Sequence, residues 1–267
     1  MAVKTLKAEQ IKKATNHVNM LEIQGISARS VLENIPKSNI NTWASNLEIS
    51  SGSLHNFARK ALQQQLPTLA NLARWKKVSN SSCPLCNKGA PQTNKHVLSN
   101  CSSDVALNRY TQRHNAVLYA IAEWIHSIKS ADQQLFADVI SSKFHPISAL
   151  FNTTKRPDLA TLQGTAITVI ELTVCHETNL RKSKDYKLNK YRDIAKALLP
   201  REPALHTNLF TIEVSTVGFV ADASELTAFA KFPKMPRALL TKIANLCLNC
   251  SYNIYCNRNS AAQINLM

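Results

Sequence analysis

The chain has 267 residues, 45% of them hydrophobic, so it can bury a core for one or two domains and is not an intrinsically disordered protein. It carries 32 lysine and arginine residues against 17 acidic residues, a formal net charge of +15 at pH 7. This charge favours polyanionic partners. Nucleic acid is the expected one, because no long apolar segment or clean amphipathic basic helix indicates a membrane.

The first residues and the cysteines indicate a compartment. Residues 1–7 have no apolar stretch followed by a small-residue cleavage site, so we do not expect secretion. The seven cysteines are an odd number, and three of them cluster with a histidine. This pattern favours metal-bound thiolates in a reducing environment over a disulfide framework. We therefore expect a nuclear or cytoplasmic protein, nuclear if its partner is chromosomal DNA.

The N-terminal quarter is predicted to be helical. Residues 8–21 and 54–66 carry apolar side chains at roughly helical spacing. Residues 27–53 between them are rich in Asn and Ser, which indicates loops or short helices.

Residues 49–103 contain no acidic side chain but several basic ones. A run of one charge is often only a solvated face. Here Trp75 lies among Arg74, Lys76 and Lys77, and an aromatic side chain among cations favours nucleic-acid contact.

A Cys-x2-Cys-x9-His-x4-Cys array is formed by Cys83, Cys86, His96 and Cys101. Zn²⁺ prefers four nitrogen or sulfur ligands in a tetrahedron, and two cysteines separated by two residues reach one ion from a tight turn. All four positions are filled, so the pattern predicts a structural zinc site rather than a catalytic one. The alternative is a chance cluster of cysteines with a surface histidine.

Cys247, Cys250 and Cys256 lack a fourth ligand nearby, and we interpret them as buried or surface thiols. Cys175 is interpreted as a packing residue. Five other histidines show no pairing pattern and are assigned an uninvolved surface role: His55, His114, His126, His145 and His206.

The second half of the chain alternates predicted helices and strands. Helices are predicted over residues 106–128, 133–142, 182–199 (ending at Pro200) and 221–246, the last broken near Pro233 and Pro236. Strands are predicted over residues 159–162 and 166–174, separated by Gln163-Gly164, and over residues 209–220. This order predicts an α/β or α+β domain.

Two acidic residues fall at the ends of the paired strands. Asp158 follows Pro157, which suits the beginning of an edge strand, and Glu171 follows a strongly apolar run where an unpaired carboxylate would be costly. A shared Mg²⁺ or Mn²⁺ would explain both acids. Lys187 lies on the helical stripe of Tyr191 and therefore faces the sheet.

Alternatives stay open at this site. Lys190 could serve in place of Lys187, and Glu177 could be a third ligand or an acid at the start of a helix. The plainer interpretation is an ordinary strand end with salt-bridged surface charges. A lysine beside a carboxylate-bound cation is an arrangement that cuts phosphodiesters, which makes the chain a nuclease candidate.

Several phrases in order resemble the C-terminal part of non-LTR retrotransposon polyproteins that carry a restriction-like endonuclease. The likeness covers about residues 50–220. Its phrases are Leu66-Pro-Thr68, Asn71-Leu-Ala-Arg-Trp-Lys-Lys77, the cysteine array, Arg109-Tyr110, Arg113-His114-Asn115, Arg156-Pro157-Asp158, Glu171-Leu-Thr-Val174, Glu177-Thr-Asn179 and Lys187-Leu-Asn-Lys190-Tyr191.

The resemblance implies a PD-(D/E)xK nuclease core, with the lysine moved to the following helix and a zinc array before the core that helps to grip nucleic acid. Asp158 and Glu171 then correspond to the metal ligands, and Lys187 or Lys190 to the catalytic lysine. Tyr191 corresponds to the motif tyrosine, and Arg156 to the basic residue before Pro-Asp.

The implied division is a helical region (residues 1–65), a zinc-binding module (66–103), a restriction-like endonuclease core (104–225) and a C-terminal helical tail (226–267). The chain departs from the family in lacking the reverse transcriptase domain that the parent element carries in cis. It therefore resembles a fragment, a decayed copy or a recruited piece of such an element.

Two functional hypotheses follow. The first is a Mg²⁺- or Mn²⁺-dependent endonuclease that nicks DNA, with Arg181, Lys182 and Lys184 holding the backbone. The second is a non-catalytic, zinc-containing protein that binds nucleic acid, either DNA or RNA.

Overall fold

The protein is a mixed α/β structure. The computed structural model describes residues 2–86, 88–151, 156–198 and 205–266. Within these ranges the helices are α1 (Ala2–Met20), α2 (Ile26–Asn34), α3 (Lys37–Glu48), α4 (Gly52–Leu62), α5 (Leu69–Arg74), α6 (Asp104–Ile128), α7 (Leu180–Lys190), α8 (Ser224–Phe229) and α9 (Arg237–Cys256).

Five strands form one mixed sheet in the order β2-β1-β3-β4-β5. Their bounds are β1 (Gln134–Ala137), β2 (His145–Pro146), β3 (Leu159–Gln163), β4 (Ala166–Cys175) and β5 (His206–Ser215). β3 runs antiparallel to both β1 and β4, whereas β4 and β5 are parallel and joined through α7. The sequence-based expectation of an α/β or α+β fold is thus confirmed at this level.

The hairpin β3–β4 fixes the register of the two acidic strand ends. Gln163 pairs with Ala166 across a tight turn in which Gly164 has a φ of 56°, a conformation that glycine adopts without strain. At the other end Leu159 pairs with Ile170, so Asp158 lies directly across from Glu171. The predicted hairpin is therefore present, and its register brings the two acids to the same end.

The helix predicted over residues 133–142 is wrong. Residues 134–137 form the strand β1, whose last three residues are buried and which pairs with the whole of β3 except its final residue. The periodicity of a short apolar run such as Leu-Phe-Ala does not distinguish a helix from a strand. Pairing with the neighbouring strand β3 therefore determines its conformation.

Other predicted bounds shift by a few residues. Residues 27–53 form short helices rather than loops, and α4 begins early because the Ser51 hydroxyl accepts a hydrogen bond from the Leu54 amide. The helix predicted over residues 182–199 runs from Leu180 to Lys190 and is followed by a 3-10 turn. Residues 199 and 200, where that helix was predicted to end, lie outside the described residues.

Opposite faces of the sheet have different partners. One face carries Ile170 and Leu172 of β4 and packs on α6 and α9. The other face carries Ile167 and Val169, which pack on Tyr191 after α7. Because side chains alternate along a strand, Glu171 lies on the α7 face. This alternation aims Glu171 at the helix that carries the lysines.

The helix α9 joins the N-terminal helices to the sheet. It packs against α6, α3 and α4, and residues such as Leu248 and Ile254 share an apolar cluster with Phe57 and Leu98. Gly218, after β5, has a φ of 92°, and a Cβ there would meet Ala244 Cα at 2.6 Å. That approach leaves room only for glycine. The four-part domain division stays a prediction.

Among the described residues, no helix combines the length and apolar character needed to cross a bilayer.

Candidate functional site

The cysteine array folds into a compact knuckle. The Cys83 amide donates to the Ala90 carbonyl at 2.8 Å, next to a short bridge between Ser82 and Pro91. His96 begins a π-helical turn, His96–Asn100, and Cys101 follows it directly. The turn therefore delivers the histidine and the last cysteine back to the first two cysteines.

The four ligand atoms fit one zinc ion. They all lie within 4.8 Å of one another, with Cys83 Sγ 3.9 Å from Cys101 Sγ and Cys86 Sγ 3.6 Å from His96 Nε2. Zinc–sulfur bonds of about 2.3 Å place neighbouring ligands of a tetrahedron about 3.8 Å apart. The array thus has the chemistry and the spacing of a zinc site.

Burial of the knuckle shifts the pKa values of its ligands. Burial, with the nearby Cys101, raises the pKa of the Cys83 thiol to about 11, so without a cation this group keeps its proton. Burial also lowers the pKa of His96, which keeps the imidazole neutral and able to act as a ligand. Zinc binding would release the thiol proton, as coordination of cysteine requires.

The carboxylate pair is assembled by the register of β3 and β4. The Asp158 amide donates to Glu171 Oε1 at 3.1 Å, and Asp158 Oδ2 accepts from the Leu172 amide at 2.8 Å. Glu171 is fully buried and Asp158 is 8% exposed. Both acids thus lie on the same side of the sheet and are tied to each other through the backbone.

Lys187 of α7 completes the group. Its Nζ lies 2.7 Å from Glu171 Oε2 and 3.4 Å from Asp158 Oδ2. Only 18% of the lysine side chain is exposed. Three consecutive elements of the chain therefore bring two carboxylates and one ammonium group to one point.

The pKa values of the two carboxyl groups, Glu171 and Asp158, are shifted in opposite directions. Burial, together with the charge of Asp158, raises the pKa of Glu171 to about 8. Burial also acts to raise the pKa of Asp158, but His114 and Lys187 outweigh it and hold that pKa below its usual value. Two crowded acids of which one resists ionisation form a site that gains from a cation.

His114 of α6 belongs to this group, and its predicted surface role is wrong. Its Nε2 lies 3.4 Å from Asp158 Oδ1 and 3.4 Å from the Leu172 carbonyl, and its Nδ1 lies 3.1 Å from Asn115 Oδ1. Burial alone would lower the pKa of His114, but the hydrogen bond and charge of Asp158 raise it overall.

The sequence feature that could have indicated the inward orientation of His114 is its spacing along the helix α6. It falls three, four and seven residues before Val117, Leu118 and Ile121, all of which are fully buried. The apolar stripe of α6 therefore turns His114 toward the sheet.

Tyr191 lies against Glu171, with which its hydroxyl shares a hydrogen bond, and Lys190 follows it in the same group. Lys190 Nζ donates to the Tyr191 hydroxyl at 3.1 Å, and that hydroxyl donates to the Arg156 carbonyl at 3.0 Å. Tyr191 is buried. Of the two lysines, Lys187 is thus the one in contact with the carboxylates, and Tyr191 fixes the chain just before Asp158.

Glu177 lies in a separate buried network. Its carboxylate accepts from Thr216 at 3.1 Å and Ser27 at 3.4 Å, and it lies 3.4 Å from His176 Nε2. It precedes α7, where an acid is favourable at a helix N-terminus. Its position matches the helix-start acid, one of the two roles predicted for it, but its carboxylate contacts join it to a buried network with Thr216, Ser27 and His176.

The predicted nucleic-acid residues occupy two exposed places. Arg74, Trp75, Lys76 and Lys77 are exposed at the end of α5, and Trp75 is 39% exposed. Arg181 and Lys182 lie on the outer face of α7, Lys184 pairs with Glu225, and Arg156 pairs with Asp138.

The other thiols match their interpretation. Cys175, Cys247 and Cys250 are buried and Cys256 is exposed. Among the residues that the structure describes, the array from Cys83 to Cys101 is the one group of three or more His, Cys, Asp or Glu side chains close enough together to share a metal ion.

Comparison with known families supports the knuckle. A family model described as zinc-binding in reverse transcriptase matches residues 31–107. The match supports a zinc-binding region of retrotransposon origin and contains all four ligands. It stops short of β3, β4 and α7. No curated protein matches the chain significantly.

Proposed function

We propose that the chain is a metal-dependent endonuclease that hydrolyses a DNA phosphodiester at Asp158, Glu171 and Lys187. The observation that carries this proposal is the convergence of two buried carboxylates and an ammonium group from β3, β4 and α7. The resemblance of Arg156-Pro157-Asp158, Glu171-Leu-Thr-Val174 and Lys187-Leu-Asn-Lys190-Tyr191 to restriction-like endonucleases supports the same assignment.

Asp158 and Glu171 are the residues that would hold Mg²⁺ or Mn²⁺. When bound, such a cation supplies a Lewis acid for the phosphate oxygens and a more acidic water. The oxygen-only donor set fits a hard cation. Burial of Glu171 supports the same conclusion, because an uncompensated carboxylate there is costly.

The protein's own side chains orient the reaction. Water forms a new P–O bond while the bond to the leaving oxygen breaks, and the leaving oxygen takes a proton. Lys187 Nζ, shared by both carboxylates, is placed to stabilise charge on the phosphate. His114 holds Asp158 from the other side, and Tyr191 holds the Arg156 carbonyl.

Nucleic acid would reach the site along basic surface. The exposed cations of residues 74–77 and of the outer face of α7 supply phosphate contacts, and Trp75 offers a face for a base. The zinc knuckle lies within the family-matched segment that carries the first group.

The deciding experiment is nicking of supercoiled plasmid in Mg²⁺ or Mn²⁺, with and without chelator. Asp158→Asn should lower the nicking rate by about 10³, since a bound metal supplies several kcal/mol and each 1.4 kcal/mol is tenfold. Asparagine is preferable to alanine because it can still accept from the buried Leu172 amide.

Asp193→Asn is the matched control. It makes the same chemical change at an aspartate whose side chain is 63% exposed and paired with Lys196. Equal nicking by Asp158→Asn and the parent chain would reject the site. Salt-dependent retention of DNA or RNA without metal-dependent cleavage would favour the non-catalytic binding protein.

A further inference from the structure

The zinc knuckle contacts α6, which carries His114, and the residues just before α7, which carries Lys187. Its π-helical turn, His96–Asn100, packs on α6, α9 and β4. α6 carries His114 and α7 carries Lys187, and these are the side chains in contact with Asp158. The knuckle therefore abuts the supports of the carboxylate site.

Lys95, the residue before the ligand His96, reaches the start of α7. Its Nζ donates to Asn179 Oδ1 at 2.8 Å and to Thr178 Oγ1 at 3.3 Å. Asn179 is the residue immediately before α7. Two turns further along that helix, Lys187 meets Glu171. One side chain thus links the zinc ligands to the position of α7.

α6 is attached to the same turn by two side chains. The Tyr110 hydroxyl donates to the carbonyls of His96 and Val97 at 3.0 and 2.8 Å and accepts from the Cys101 amide at 3.2 Å. Arg113, fully buried, donates to the Leu98 carbonyl at 2.9 Å, and the next residue is His114. Four carbonyl and amide groups of the knuckle are thereby held by the helix that supports Asp158.

We propose that Lys95 is a positioning residue through which the zinc knuckle sets α7, so that the state of the knuckle governs cation binding at Asp158 and Glu171. This inference rests on the proposed function. Its physical basis is that the knuckle, once its four ligands are fixed, holds Lys95 and the carbonyls of residues 96–98 in one arrangement. Loss of that arrangement frees the start of α7 and with it Lys187.

The test is Mn²⁺ affinity measured calorimetrically on zinc-loaded full-length protein. Lys95→Met should weaken Mn²⁺ binding by about tenfold, the lower end of the effect of groups that orient metal ligands. Zinc content should stay the same, and hydrogen exchange of the amides of α7 should become faster. Lys95→Arg should restore part of the affinity, because arginine can still donate to Asn179.

Asn179→Ala breaks the same bridge from the other end and guards against a folding defect in one variant. The double variant should weaken Mn²⁺ binding no more than Lys95→Met alone, because that variant already removes the hydrogen bond to Asn179. Lys88→Met, at an exposed lysine of the same knuckle, is the control and should bind Mn²⁺ like the parent.

The outcomes separate the two proposals. If the parent chain binds no Mn²⁺, or Asp158→Asn binds it equally well, the proposed function fails and this inference with it. If Asp158→Asn loses Mn²⁺ while Lys95→Met and Asn179→Ala retain it with unchanged exchange in α7, the nuclease site stands and the coupling is overturned. Additive losses in the double variant would also overturn it.

Discussion

The zinc knuckle and the proposed cation site at Asp158 and Glu171 are assembled in opposite ways. The knuckle takes its four ligands from one short segment, Cys83 to Cys101. The carboxylate site takes its side chains from α6 and from three later elements, β3, β4 and α7, so its residues run from His114 to Lys187. Soft thiolates and an imidazole line the first, and hard oxygens line the second.

The difference teaches what each site contributes. Four protein ligands leave zinc no open position, so the knuckle stabilises structure. A cation held by two carboxylates would keep coordination positions for water and phosphate, which is why we propose catalysis at the second site. Loss of a knuckle ligand should therefore lower stability, and loss of a carboxylate-site residue should lower activity.

The largest effect is expected from breaking the knuckle. Cys101→Ser should remove bound zinc and lower the melting temperature by about 10 °C or more, because metal-binding free energy is folding free energy. Zinc analysis and thermal unfolding check this. Cys256→Ser, at an exposed cysteine, is the control and should keep both values. Equal melting of the two variants would contradict a structural zinc site.

The next effect is expected at His114. His114→Asn should weaken Mn²⁺ binding and slow plasmid nicking by between about 10- and 100-fold while zinc content stays constant, because Asp158 loses an orienting partner. His126→Asn, on the same helix, provides the comparison. Unchanged Mn²⁺ affinity in His114→Asn would show that His114 does not orient Asp158 for cation binding.

A smaller effect is expected from pH in zinc-loaded protein without Mg²⁺ or Mn²⁺. The pKa of Glu171 is raised to about 8 in the folded chain, so between its ordinary pKa and 8 the folded state binds more protons than the unfolded one. The free energy of unfolding should therefore fall as pH rises through that window and level off above it.

Glu171→Gln should flatten this pH dependence, which urea unfolding at several pH values measures. The raised pKa of His114 contributes a fall of the same sign, so some slope should persist. Equal pH dependence in Glu171→Gln and the parent chain would contradict the assigned shift of Glu171. The comparison with the variant is needed because burial lowers the pKa of His176, which contributes a rise of stability over the same window.

The smallest effect is expected on the basic surface. Lys77→Gln should reduce the slope of log K against log salt for DNA binding by about 1, as expected for one lost phosphate contact. Lys12→Gln, at an exposed lysine of α1, is the comparison. Identical salt dependence in the two variants would exclude residues 74–77 from the contact surface.

How well each site could be predicted follows from the same contrast. The knuckle was readable because its ligand spacing is a local property. The juxtaposition of Asp158 and Glu171 could be predicted because the hairpin turn at Gly164 fixes their register. The helical stripe with Tyr191 turned Lys187 toward the sheet, but the choice between Lys187 and Lys190 stayed open in the sequence. For the knuckle and the carboxylate pair a short-range rule was sufficient.

His114 and β1 were missed because each depends on long-range packing. The four residues of β1 become a strand by pairing with β3, which the local sequence does not encode. The apolar stripe of α6 showed that one face was buried, but not that its continuation at His114 ended beside Asp158.

The position of α9 has a consequence for folding during synthesis. A ribosome releases the chain from its N-terminus, so residues 31–107 emerge long before the helix that covers Phe57 and Leu98. Until α9 is synthesised, these apolar side chains lack the part of their cluster that Leu248 and Ile254 contribute. We therefore expect the nascent protein to pass through an aggregation-prone stage, and the isolated segment 31–107 to lack the partner that completes its core.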